Sequence, residues 1–216
     1  MPSPPRSARA GSRCDAVLVV ARQVLVDHGL ERFVMRDIAT RTGMRLGNLQ
    51  YYYPTREDLL EDVIRCEFDR DLLTIRTVIQ QAAEPATERG TSSLTALASG
   101  LLDNWCSGGA SVFVTMSVLA FHHQRFAELS RTIYATFYSE LATMIRSIDP
   151  SLDDEEAAGR ARLVTSVLDG VATQIHAGLG VRAAAKCDST ECADLLARAT
   201  ALIEGIAAGT SASGHG

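Results

Sequence analysis

Between residues 35 and 60 the chain carries Arg36, Arg45, Asn48, Gln50, Tyr51, Tyr52, Tyr53 and Arg56, a dense run of hydrogen-bonding and aromatic side chains. Their chemistry suits a nucleic acid. Gln50 can pair bidentately with adenine, and Arg36 or Arg45 can fork two hydrogen bonds to guanine or to a phosphate. Tyrosine hydroxyls are common phosphate donors. Gly47 has no side chain, so a helix that carries it can approach a groove floor closely. The spacing supports the same use. Two short helical patterns, 35–42 and 46–52, flank Gly43, where a positive φ costs glycine nothing. A short helix, a glycine turn and a second short helix with polar and aromatic residues is what a helix-turn-helix reader of DNA requires.

Other chemistries find little support. The sequence has no H-E-x-x-H, no glycine loop followed by a phosphate-binding lysine, and no G-x-S-x-G. Cys14, Cys66, Cys106, Cys187 and Cys192 are odd in number and scattered, which indicates neither a disulfide framework nor a zinc site. His122 and His123 are neighbours, so on a helix they point about 100° apart and cannot share a metal. Residues 153–156 (Asp-Asp-Glu-Glu) open a helical pattern, where acids favour the dipole, and read as a capping cluster. The expectation is a chain that is not an enzyme and holds no metal or cofactor, with a helical-bundle enzyme as the outlying alternative.

The formal net charge of -5 sits badly with DNA until it is divided along the chain. Residues 1–56 hold nine arginines against four acids, a net +5, whereas residues 57–216 hold 12 basic and 22 acidic residues, a net -10. A basic head on an acidic body suits a protein that touches phosphates at one end. Residues 1–10 combine two arginines and three prolines without an apolar core, so they do not read as a secretory signal. No apolar run in the sequence approaches the roughly 18 residues of a membrane helix. A cytoplasmic protein without a membrane partner is expected.

The elements that must position these residues read as all-α, with about nine helices. Residues 1–11 are expected to be a disordered arm, 12–56 the helix-turn-helix head, 57–208 a helical body and 209–216 a flexible tail. Helix one runs from Ser12 to His28 with Val17, Val20, Ala21, Val24 and Leu25 on one face, and Gly29 stops it. A long helix starts after Pro54 with Thr55 as its cap and reaches residue 83. After a break at 84–90 come helical stretches at 91–106, 110–122, 125–148, 153–178 and 190–207.

The residues Arg36-Asp37-Ile38-Ala39, Gly43-Met44, Gly47-Asn48-Leu49-Gln50-Tyr51-Tyr52-Tyr53 and Arg56-Glu57-Asp58-Leu59 resemble the DNA-binding domain of TetR-family transcriptional regulators. The resemblance covers residues 13–64, and beyond it only helix order and length agree. It implies a homodimer, mostly repressive, with a divergent helical ligand-binding domain after the fourth helix. Carried over by position, it implies that Arg36 reaches a base or phosphate and that Leu46, Gly47 and Gln50 meet base edges. Asn48, Tyr51 and Tyr52 would contact phosphates, and Arg56 would hold the DNA backbone. Ile38, Ala39, Leu49 and Tyr53 are expected in the core of the head. Two residues depart from the family pattern. Val34 stands where Ser or Thr is usual, and Arg45 stands where a serine usually caps the recognition helix, so both caps should be weaker. Arg45 is expected to contact DNA instead. These departures leave room for an alternative, a protein-interaction module that kept the head and lost DNA recognition.

The body then reads as sensor and dimer interface. Val164, Leu168, Val171 and Ile175 form one apolar stripe, and Leu195, Ala199 and Leu202 form another. Two such helices from each chain would make a four-helix interface, the arrangement usual in that family, and a paired head could read two half-sites. The other use of these stripes is burial within one chain. Phe68, Leu101, Trp105, Phe113, Met116 and Phe137 are expected to line a ligand cavity, with Asn104, His122, His123 and Gln174 as orienting polar groups. The small-molecule effector is therefore expected to be largely apolar or aromatic, with little charge, and its release of operator DNA would make the protein a repressor.

Overall fold

The computed structural model describes residues 8–83, 93–177 and 190–209. Among them there is no strand. Nine α-helices are present: α1 (Ala8–His28), α2 (Met35–Arg41), α3 (Leu46–Tyr52), α4 (Arg56–Ala83), α5 (Ser93–Asn104), α6 (Ala110–His122), α7 (Gln124–Ile148), α8 (Asp154–His176) and α9 (Thr190–Ala208). A 3-10 turn (Leu30–Arg32) precedes α2, and a wide π-helical turn (Trp105–Gly109) joins α5 to α6. Helix α1 starts at Ala8 rather than Ser12, because Ala8, Arg9 and Ala10 are good helix formers beyond the last N-terminal proline. The remainder of the expected arm (1–7), the expected break at 84–90 and the tail from 210 lie outside the described residues.

The chain divides into two compact units, Met1–Glu67 and Phe68–Gly216. The division falls inside α4 instead of ahead of it, because the first turns of that helix complete the core of the head. Leu59, Leu60, Val63 and Ile64 are buried there with Val17, Ala21, Val24 and Leu25 from α1, Phe33, Ile38 and Ala39 around α2, and Leu49 and Tyr53 from α3. Arg22 on α1 clamps Glu67 on α4 with two hydrogen bonds, to Oε2 at 2.5 Å and Oε1 at 3.1 Å, and Glu67 is only 2% exposed.

The second unit builds its core from Leu72, Ile75 and Val78 of α4, Leu97 and Leu101 of α5, Val112 and Met116 of α6, and inward faces of α7 and α8. Helices α4 and α5 approach so closely at Gly100 that a Cβ there would lie 2.6 Å from the Thr74 methyl. Asp153 caps α8 by accepting from the Glu156 N–H at 2.8 Å, as its acidic cluster predicts. Arg160 near the start of α8 donates to the Ala207 carbonyl at the end of α9, so the two helices run antiparallel. Against the sequence expectation, Leu94–His122 forms a 29-residue run long and apolar enough, by length and composition, to cross a membrane. Its inward residues form part of the core just described, and Asn104 and Ser107 interrupt its middle.

Candidate nucleic-acid interface and effector cavity

The turn between α2 and α3 is set by a Schellman motif. Gly43 at φ 67° donates to Thr40 O at 3.1 Å, and the Met44 N–H reaches Ala39 O at 2.8 Å. This turn leaves Arg36, Arg45, Gly47, Asn48, Gln50 and Tyr51 exposed, with Leu46 and Tyr52 half-buried. Tyr51 is 82% exposed, and its ring meets Tyr52 edge-on at 5.3 Å between centroids. A Cβ at Gly47 would meet nothing within 4 Å, so the surface there is open. Ile38, Ala39, Leu49 and Tyr53 are buried, which is the core role expected of them. Val34 and Arg45 stand at the N-caps of α2 and α3 and neither side chain makes a capping hydrogen bond, as their types predict. Helix α4 is better anchored. The Thr55 hydroxyl accepts from the Asp58 N–H at 3.1 Å, while the Thr55 N–H donates to the Asp58 carboxylate at 2.9 Å.

Arg56 is engaged within the head. Its guanidinium donates to the carbonyls of Phe33, at 2.8 Å, and Leu30, and lies 6.0 Å from the centroid of the Phe33 ring. These carbonyls bracket the 3-10 turn, so the guanidinium ties the start of α4 to the segment that leads into α2. Arg56 therefore positions the entry to α2, a structural role that the sequence reading did not give it.

In the second unit Phe68, Asp71, Trp105, Phe113, Tyr134, Phe137, Thr165, Leu168 and Asp169 line one cavity. It leaves about 10 Å³ for the centre of a water-sized molecule, room for roughly one water. The wide turn carries Gly108 at φ 110° and places Trp105 inward, with both Trp105 and Gly109 buried. The Trp105 indole N–H donates to Asp71 Oδ2 at 3.2 Å, and Asn104 Nδ2 donates to Asp71 Oδ1 at 2.7 Å. Across the cavity the Tyr134 hydroxyl donates to Asp169 Oδ2 at 2.8 Å. Burial pushes the Asp169 carboxyl up to about 6, against the lowering effect of that hydrogen bond. The same burial and the adjacent carboxylate push the Tyr134 hydroxyl well above its ordinary range.

Four sequence-derived lining residues are thus brought together: Phe68, Trp105, Phe113 and Phe137. Asn104 stands one step back, holding Asp71. The others are corrections. Leu101 and Met116 are fully buried core beside the cavity, since an apolar pattern does not separate lining from filling. His122 and His123 are exposed at the end of α6, and Gln174 is exposed on the face of α8 turned away from the core. Asp71, Tyr134, Thr165, Leu168 and Asp169 were not assigned to the cavity. Asp71 had a signal: it falls at the i+3 position of the inward pattern Phe68, Leu72, Ile75, where an acid is out of place.

Comparison with known proteins bears on both units. Residues 17–63 match the family model for bacterial regulatory proteins of the tetR family, and residues 107–189 match that for the C-terminal part of BetI-type transcriptional repressors. The chain belongs to the TetR family. This is a family of transcriptional regulators, not of enzymes. Among its relatives is the HTH-type transcriptional repressor KstR2 of Mycolicibacterium smegmatis, 28% identical over 83 residues, which are 38% of this chain and 40% of that protein. Solved structures agree in fold. A transcriptional regulator from Rhodococcus sp. Rha1 superposes with a TM-score of 0.70 at 24% identity, covering 91% of this chain and 96% of that one. A regulator from Saccharomonospora viridis in complex with choline gives 0.66 at 18% identity, covering 90% and 96%.

The TetR-family body also corrects the interface assignment. Val164, Leu168, Val171 and Ile175 of α8 are buried within this single chain, and Leu168 lines the cavity. A 4/3/4 stripe looks the same whether it meets its own chain or a partner, and here it packs inward. The neighbouring face of α8 presents Leu163, 57% exposed, with half-buried Val167 and exposed Gly170. On α9, Leu195 and Ala199 are half-buried and Leu202 is 52% exposed.

Proposed function

We propose that this TetR-family chain is a homodimeric repressor that reads operator DNA with the α2–α3 face and releases it when a small molecule occupies the cavity of the second unit. The observation that carries the reading is the exposed cluster of Arg36, Arg45, Asn48, Gln50 and Tyr51 around an open Gly47. In this reading Gln50 and Arg36 meet base edges, while Arg45, Asn48, Tyr51 and Tyr52 hold phosphates. Arg56 serves by fixing the turn ahead of α2. The dimer face is formed by Leu163, Val167 and Gly170 of α8 with Ala199 and Leu202 of α9, which supports two half-sites on one operator. A cytoplasmic location follows from the same role.

Effector and operator act on one equilibrium. A ligand that favours the state with weaker DNA affinity must itself bind less tightly when operator is present, by the same factor. Electrophoretic mobility shift with the DNA upstream of the chain's own gene tests the reading, repeated across a salt series. Saturable binding to that fragment, tighter than to unrelated DNA, is expected. No binding of dimeric protein even at low salt overturns it.

A further inference from the structure

The lining of the cavity is chemically unbalanced. Five aromatic rings, Phe68, Trp105, Phe113, Tyr134 and Phe137, share it with two carboxylates, Asp71 from α4 and Asp169 from α8, and among the described residues its lining includes no basic side chain. Asp71 is only 4% exposed, and both of its oxygens are oriented by Asn104 and Trp105. Asp169 is held by a phenol hydroxyl instead of a cation. Arg162 on the same helix sits over Tyr138, with its guanidinium carbon 6.0 Å from the ring centroid.

We propose that the effector of this cavity is an organic monocation, an amine or quaternary ammonium with a compact apolar body, held between Asp169, Asp71 and the ring faces. Three ligand classes can be weighed. An anion would be repelled by both carboxylates. A neutral apolar molecule would satisfy the rings but bury the Asp169 charge further without compensation, which is unfavourable. A monocation gains from the carboxylates and from the negative faces of the rings at once. The cavity admits about one water, so a ligand of this size requires its walls to part. Charge then replaces the expectation of an effector with little charge. The inference rests on the reading of this cavity as the effector site.

Trp105 is the chain's single tryptophan and lines the cavity, so its fluorescence reports occupancy directly. The full chain is titrated with benzyltrimethylammonium chloride, with N,N-dimethylbenzylamine hydrochloride, and with neopentylbenzene, the uncharged isostere of the first. Saturable quenching by at least one cation, about tenfold or more tighter than by neopentylbenzene, is expected. Comparison of the two cations tells whether an N–H donor to the carboxylate is needed. In Asp169→Asn the preferred cation should weaken about tenfold while neopentylbenzene changes little. Equal affinity for neopentylbenzene and its cationic isostere, no effect of Asp169→Asn, or no saturable change with either cation overturns the proposal. Mobility shift is run in parallel on the same samples. Operator release by neopentylbenzene alone would keep the cavity as effector site and refute its charge preference. Saturated quenching by a cation with operator still bound would instead refute the cavity's regulatory role.

Discussion

Replacing Asp169 by asparagine removes a charge while keeping the shape and an acceptor for the Tyr134 hydroxyl. Burial raises the Asp169 carboxyl from 3.8 to about 6, and no basic group acts against that burial. In the unfolded chain the group returns to its ordinary value, so folding takes up a proton between roughly pH 4 and pH 6. The sign follows directly. Stability from this group is fully present below the unfolded value and is lost as the pH climbs through about 6. A gap of about two units corresponds to about 3 kcal/mol that wild type lacks at neutral pH. The variant should therefore match wild type near pH 4 and exceed it by about 2–3 kcal/mol at pH 7.5, a Tm increase of roughly 5–10 °C. Urea unfolding followed by Trp105 fluorescence at both pH values measures the difference in the unit that holds the cavity. Equal stabilisation at both pH values would show that ionisation is not the cause. Destabilisation at pH 7.5 would show that a cation already compensates Asp169, and the reasoning fails.

Four further outcomes follow from the geometry. Arg22→Ala leaves the Glu67 carboxylate buried without its two guanidinium bonds and should destabilise the head by about 3 kcal/mol, read by far-UV circular dichroism in urea. Gly43→Ala meets no atom within 4 Å, yet its φ of 67° disfavours any Cβ, so a loss of about 1 kcal/mol in the same assay is expected from backbone strain alone. Arg45→Ala should weaken all DNA sequences alike and lower the salt slope by about one, whereas Gln50→Ala should cost about 1–3 kcal/mol on the cognate site and relax preference at one base pair. Unchanged regulation in both variants would favour a head used for protein contacts. Leu163→Glu with Leu202→Glu should give a folded monomer in sedimentation velocity, while Val164→Glu, directed into the core, should unfold the body; a dimer that survives the first pair refutes the proposed face.

The head was legible in the sequence because nearly every part of it is local. Gly43, Thr55 and the spacing of Ile38, Ala39 and Leu49 act within a few residues of themselves, and α3 forms over the expected span, Leu46–Tyr52. The structural role of Arg56 was not legible because its partners, the Phe33 and Leu30 carbonyls, lie more than twenty residues away, and a backbone oxygen carries no residue type to read. The body was legible as helices but not as faces. Along α8 a stripe of Val164, Leu168, Val171 and Ile175 states only that one side avoids water, and whether a neighbouring helix or a second subunit supplies the cover is decided by tertiary packing.

The cavity shows what kind of residue could have told lining from core. Phe113 lines it and Met116, on the next turn of the same helix, does not; hydrophobicity ranks the two alike and cannot separate them. An acid differs in this respect. A carboxylate at an inward position loses hydration on folding and needs a compensating reason to be there. Asp71 has part of that reason in Asn104 and Trp105, which turn both of its oxygens to fixed directions. Asp169 has only the Tyr134 hydroxyl, and its raised carboxyl marks a charge that the folded chain alone does not stabilise. A lasting stability deficit in the wall of a cavity is what a site for a positively charged ligand requires, since the ligand supplies the missing partner. An acid brought into an apolar wall is therefore the sharper pointer to a ligand site, and in this chain Asp71 and Asp169 both line the same small space.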